Sequence, residues 1–179
     1  YAKSRPGVLN YAVGQAGATG TIAGDLFNSL AGTSMVRIPH VTGPQQFTAL
    51  LANQVQMLVS DAGLMMPLAK SGKLTALGVT TAQPSTLFPD LPTIAASGLP
   101  GYEWVGMTGM FAPAKTPATI INRLNQETVR WLRTPEAKAE FTKMGIEVAD
   151  STPEQFAAMV RSDRAKTTKL IKASGVKPQ

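Results

Sequence analysis

Short apolar runs alternate with stretches of helical period through the first half of the chain. Leu9-Asn10-Tyr11-Ala12-Val13 reads as a strand, Gly14 to Gly20 as a glycine-rich turn, and Ile22, Ala23, Leu26, Phe27 and Leu30 as one face of a helix ending near Gly32. Met35 to Pro39 forms the next apolar run. Pro44 then sits where the first turn of a helix tolerates proline, and Phe47, Leu50 and Leu51 give that helix an apolar stripe up to Asn53. A third strand is expected over Val55 to Val59, a third helix from Leu64 to Ser71 closed by Gly72, and a fourth strand over Leu74 to Thr80. Strand and helix in this rhythm imply an α/β fold on a parallel sheet, whose ligands bind at the carboxyl ends of the strands.

The pattern changes after Thr80. Pro84, Pro89, Pro92, Gly98, Pro100 and Gly101 make a connector with room for one short helix near Thr93 to Ser97, and Trp104 to Phe111 is an extended apolar run. Thr116-Pro117 and Thr134-Pro135 open two helices, running to Arg133 and Met144. A short strand is expected over Gly145 to Ala149, and Ser151-Thr152-Pro153-Glu154 opens a last helix with Phe156, Met159 and Val160 inward. The second half is therefore mainly helical, with few strands of its own to cover.

Composition narrows the class. The chain has 179 residues, 44% hydrophobic and 16% charged, enough for an ordinary core and unlike a disordered segment. No run approaches the roughly 20 apolar residues of a membrane-spanning helix. The opening Tyr1-Ala2-Lys3-Ser4-Arg5-Pro6 lacks an initiating Met and the order of a signal peptide, and reads as a helix end stopped by Pro6-Gly7, so an N-terminal truncation is expected. The absence of Cys excludes disulfides and thiolate metal sites, and with one His a structural zinc site is close to excluded.

The net charge of +6 is unevenly placed: residues 1–105 carry five basic and four acidic side chains, residues 106–179 twelve and seven. Acidic and basic residues alternate along the C-terminal helices with few aromatics, so a solvated helix face accounts for them better than nucleic acid binding. The eight Met residues are scattered over strands and helices, as core filling requires.

Candidate chemistry centres on Gly14-Gln15-Ala16-Gly17-Ala18-Thr19-Gly20-Thr21, between a strand and a helix. Such a loop directs free backbone N–H groups, helped by the helix dipole, at a carboxylate or phosphate. It lacks the spacing of a nucleotide P-loop and of a dinucleotide fingerprint, and a purely structural turn is the alternative. His40, after Pro39, and Ser60 and Asp61, after the third strand, fall at the same strand ends. A Ser-His-Asp hydrolase would have to use these three, but no Gly-x-Ser-x-Gly elbow is present. Asp61 is a candidate acceptor for a ligand donor or for its own backbone.

Taken in order, Arg5-Pro6-Gly7-Val8-Leu9-Asn10-Tyr11, the glycine-rich loop running into Ala23-Gly24-Asp25-Leu26-Phe27, Ile38-Pro39, Lys70-Ser71-Gly72-Lys73-Leu74, Ala76-Leu77-Gly78-Val79-Thr80, Phe88-Pro89-Asp90-Leu91-Pro92-Thr93, Ser97-Gly98-Leu99-Pro100-Gly101-Tyr102 and Ser151-Thr152-Pro153-Glu154-Gln155-Phe156 resemble the receptor component of tripartite tricarboxylate transporters, also called the Bug receptors. The resemblance runs over essentially the whole chain. It implies a type II-like periplasmic binding protein of two lobes that closes over a small carboxylated acid and hands it to membrane components of the transporter or to a sensor. No chemistry on the ligand and no cofactor is implied. The N-terminal part of the first lobe is missing by this pattern: residues 1–103 correspond to the second lobe and 104–179 to the C-terminal part of the first.

The implied ligand set is Val13, Gly14, Gln15, Gly17, Ala18 and Thr19 in the loop, with His40, Thr42, Ser60 and Asp61 around it. This chain departs from the family pattern in having fewer loop hydroxyls, His40-Val41-Thr42 where Tyr-Lys-Gly is favoured, Gln56 in place of a common Asp and Met107 in place of a frequent Trp. Those departures favour a monocarboxylate or a less polar acid as much as citrate. The rival readings are an interaction module working through the basic helices and a hydrolase using His40. Apolar helix faces between Pro117 and Ser174 imply self-association if nothing else covers them.

Overall fold

The computed structural model describes residues 1–15 and 18–174, and side chains up to Lys169. After a 3-10 turn at Ala2–Ser4, strand β1 (Asn10–Val13) leads through helix α1 (Thr19–Ala31) to strand β2 (Val36–Pro39), then helix α2 (Gly43–Leu51) and helix α3 (Ala62–Lys70). Helices α4 (Ala118–Leu132), α5 (Pro135–Lys143) and α6 (Pro153–Ser174) complete the described chain.

β1 and β2 pair in parallel, in register from Asn10 opposite Val36 to Val13 opposite Pro39. On its other edge β1 takes a single parallel bridge, Tyr11 to Met57, with the amide of Ala12 donating to the Met57 carbonyl at 3.0 Å. Strand alternation splits the core in two, as a covered parallel sheet requires. Tyr11 and Val13 pack with Met35, Phe27 and Met57 on one face, while Ala12 packs with Ala49, Val55, Ile38 and Leu50 on the other.

The sheet is smaller than the apolar runs predict. Val55 is fully buried, but Val55 to Val59 contributes one bridge residue, not a strand. Leu74 to Thr80 is likewise irregular. Val79 alone bridges to Thr93, and Leu77 is 74% exposed. Gly145 to Ala149 is not a strand, and Thr93 to Ser97 forms hydrogen-bonded turns and no helix. The reason is shared: a strand exists only when a neighbour supplies its ladder, and among the described residues these runs make a single isolated bridge or none.

The helices match their sequence signals closely. Gly32 ends α1 in the left-handed conformation, φ 58°, with its amide bonding the carbonyls of Asn28 and Ser29. At α2, Thr42 and Gln45 form a capping box with Pro44 in the first turn, and at α5 the Thr134 hydroxyl accepts from Ala137 N at 3.2 Å. Five ion pairs, among them Arg123–Glu127, Arg133–Asp150 and Lys166–Glu103, stud residues 103–166 with mixed charge, in keeping with a solvated face.

Contacts join the two halves of the chain. α6 lies on α1, Tyr102 is buried with its hydroxyl donating to the Ala23 carbonyl at 3.1 Å, and its ring meets Phe27 edge-on at 6.2 Å. Gly63, in the first turn of α3, faces the Met144 carbonyl and Gly145 so closely that a β-carbon on either glycine would strike backbone.

Candidate functional site

The carboxyl ends of three chain segments converge on the start of α1. β1 ends at Val13, whose carbonyl accepts from the His40 amide at 2.9 Å, so His40 emerges from β2 directly beside the loop. The Val59 carbonyl lies against Gly20, where any β-carbon would collide with it. Residues 13–15, 18–20, 40 and 59–60 thus share one edge of the sheet.

Local chemistry fixes the loop to the helix. The Thr21 hydroxyl, buried in the first turn of α1, accepts from the Gly14 amide at 2.9 Å, and the Ala18 amide donates to the Gln15 carbonyl at 3.0 Å. Ala18 is the N-cap residue and brings no capping side chain, so the first-turn amides of α1 are left for another acceptor. Thr19 and Ala18 are exposed, Gly14 half-buried. From the second half of the chain, Gly106 approaches from the opposite side: a β-carbon there would stand 3.3 Å from the Thr19 methyl. The start of α1 therefore lies against the 104–109 segment at Gly106.

Behind the loop, α1 is anchored by charge. Asp25 is buried and accepts from the Tyr11 hydroxyl at 2.6 Å and from Arg37 Nε at 2.7 Å, while Arg37 Nη2 meets its second oxygen at 2.6 Å. Burial and the Asp25 carboxylate push the Tyr11 hydroxyl up to about 12. Gly24 permits this packing, because a β-carbon there would overlap the Tyr11 ring.

The sequence-predicted residues separate into those the structure brings together and those it engages elsewhere. Val13, Gly14, Gln15, Ala18 and Thr19 form the loop. Gly17 lies outside the described residues. His40 adjoins the loop through its backbone, and its Nδ1 lies 2.9 Å from the Ile38 carbonyl. The Thr42 hydroxyl caps α2, accepting from Gln45 N at 3.4 Å. Ser60 is half-buried; Asp61 is exposed and is the N-cap residue of α3 without a side-chain capping bond. Among the described residues no hydrogen bond joins His40 to Ser60 or Asp61, and no three His, Asp or Glu side chains gather to hold a metal ion.

Two participants carry no sequence signal of their own: Gly106 and Gln46. Gln46 stands in the first turn of α2 with its Nε2 3.2 Å from the position of a Gly14 β-carbon. The only cue was that α2 begins three residues after His40 and must return past the same sheet edge. A groove of about 600 Å³ on the α2 side of β2 is walled by Pro39, Val41, Pro44 and Thr48, and it meets the loop region at His40.

Residues 1–176 match the family model described as tripartite tricarboxylate transporter family receptor. A UPF0065 protein of Bordetella bronchiseptica is 34% identical over 157 residues, covering 88% of this chain and 47% of its own length. Protein BugT of Bordetella pertussis is 25% identical, covering 98% and 54%. Among solved structures, an R. palustris protein with adipate superimposes over the whole chain and 60% of its own, with a TM-score of 0.91 and 28% identity. The periplasmic binding protein BugD gives 0.85 at 28% identity, also over 100% and 60%. MatC from Rhodopseudomonas palustris with bound malate gives 0.78 at 25%, over 92% and 57%. The chain spans about half the length of the curated relatives it matches.

Proposed function

Because the chain belongs to the tripartite tricarboxylate transporter receptor family, we propose that it is the greater part of a periplasmic solute-binding receptor that captures a small carboxylated acid and carries out no reaction on it. One observation carries the reading: the uncapped start of α1, fed by the Gly14 to Gly20 loop, stands where three parallel segments end. First-turn amides and the positive end of the helix dipole there suit a carboxylate. Val13, Gly14, Gln15, Gly17, Ala18 and Thr19 hold that group in our reading, and His40, Ser60 and Asp61 border the rest of the ligand. Thr42 acts through its cap, orienting the turn that follows His40.

In the same proposal residues 1–103 form one lobe and 104–179 belong to the other, with the ligand between them and Gly106 on the far wall. Closure of the two over the ligand then creates the surface read by membrane components of a tripartite transporter or by a sensor. The binding of adipate and malate by proteins of similar fold supports a carboxylate over a phosphate. Between Leu9 and Asp61 the only Lys or Arg is Arg37, already held by Asp25, which favours a ligand of low charge.

Thermal shift of the full-length protein against mono-, di- and tricarboxylates, amino acids and aromatic acids tests this, since a ligand of the native state raises Tm by mass action. A rise with one acid class, abolished by Gly20→Val at the start of α1, is the expected result. No rise with any acid would remove the receptor reading and turn attention to the basic helices.

A further inference from the structure

Gln46 is a neutral side chain that the fold brings to the loop from another element, without a side-chain hydrogen bond among the described residues. The position of a Gly14 β-carbon lies 3.2 Å from Gln46 Nε2, 3.3 Å from Ala18 Cβ and 3.9 Å from Thr21 Oγ1, so the carboxamide borders Gly14 of the loop. Neighbouring Gln45 is turned to its own cap, its Oε1 accepting from the amides of Val41 and Thr42. Gln46, half-buried, has no side-chain hydrogen bond among the described residues. A half-buried carboxamide at the mouth of a site, offering one acceptor and two donor hydrogens, is a recognition group for a neighbouring oxygen.

Resting on the receptor reading above, we propose that Gln46 determines specificity: it hydrogen-bonds an oxygen borne near the anchored carboxylate, and so favours hydroxy and oxo acids over their unsubstituted counterparts. The geometry confines the choice. Gln46 Nε2 and the methyl of the N-cap residue Ala18 both border the β-position of Gly14, so the carboxamide stands near the anchored end of the ligand. A cation at this place would favour a second carboxylate there, but the only Lys or Arg between Leu9 and Asp61, Arg37, is locked to Asp25 by both faces of its guanidinium. A neutral amide instead discriminates through pairing, because a site built to bond a substituent leaves its own groups unpaired when that substituent is missing.

The test uses the full-length protein and two ligand pairs that each differ by one hydroxyl, lactate with propionate and malate with succinate, with Kd by calorimetry. The wild type is expected to favour the hydroxylated member of at least one pair about tenfold, the size of a neutral hydrogen bond. Gln46→Ala should bring that ratio to about 1 while leaving the unliganded Tm in place. Gln46→Glu, nearly isosteric, should weaken both members of the pair, because its charge opposes the anion at the same helix end. An unchanged ratio in Gln46→Ala, or no preference in the wild type, overturns the assignment while leaving the receptor reading intact. A wild type that binds none of these or any other carboxylate overturns both. A Gln46→Ala protein that loses Tm and binds both members equally less well makes the residue a packing element, which also overturns it.

Discussion

Asp25 receives hydrogen bonds from both strands of the sheet, and its removal should be felt far from any ligand. Asp25→Asn leaves the Arg37 guanidinium without its counter-charge, but Arg37 is 39% exposed, so water takes up part of the loss. A drop of about 2–3 kcal/mol in urea-denaturation stability is expected. The buried hydroxyls give a pH dependence. Tyr11 and Tyr102 are pushed from 10.0 up to about 12, both chiefly by burial. Their protons leave the unfolded chain near pH 10 and the folded chain only near 12, so stability is retained below pH 10 and falls as pH rises between the two. Tm measured from pH 9 to 11.5 should decline over that interval, and Tyr102→Phe, with one such group removed, should decline less steeply. At this scale the sequence exposed the loop, because glycine spacing after a strand is local information. It hid Gln46, since a polar residue in a first helical turn looks the same whether it meets solvent or a site about 30 residues away.

Helices α1 to α6 were closely legible, the short helix near Thr93 to Ser97 did not form, strands were legible only in part, and the difference is physical. Thr42, Pro44 and Gln45 state the start of α2 within four residues, and Gly32 states the end of α1. Thr42→Ala removes the cap, for an expected loss of about 1 kcal/mol on thermal denaturation, with a weaker effect from Thr42→Ser. The runs over Val55 to Val59, Leu74 to Thr80 and Gly145 to Ala149 have strand composition, yet strand formation depends on a neighbour that no window of sequence contains. The close meeting of α3 with the turn after α5 was also illegible, because two glycines 82 positions apart signal nothing separately. Gly145→Ala combines a φ of 69° with a β-carbon driven into the α3 backbone, so a loss above about 1 kcal/mol is expected. Gly72→Ala serves as control: its φ is 73° but nothing lies within 4 Å, so its loss should be smaller.

Across the whole molecule the apolar surface is lopsided. Val105, Met107, Met110, Phe111, Ile120, Leu124 and Trp131 are all at least 38% exposed, and Ile120, Leu124 and Trp131 recur at helical spacing along α4. The 179-residue polypeptide is therefore expected to self-associate. Sedimentation velocity should show a mean size that rises with concentration, and Met110→Lys with Phe111→Lys should lower it. A concentration-independent monomer would contradict the expectation. The family and the α/β class were readable because many short motifs fall in order over the full length, whereas the extent of the sheet was not. The placement of β1 has one more consequence, in the order of synthesis. This strand is bounded by β2 on one side and Met57 on the other, so its last partner emerges from the ribosome 46 residues after Tyr11. At ordinary elongation rates that is about 2–9 s during which the nascent strand has an open edge. The short, four-residue length of β1 limits what can attach to that edge in the interval.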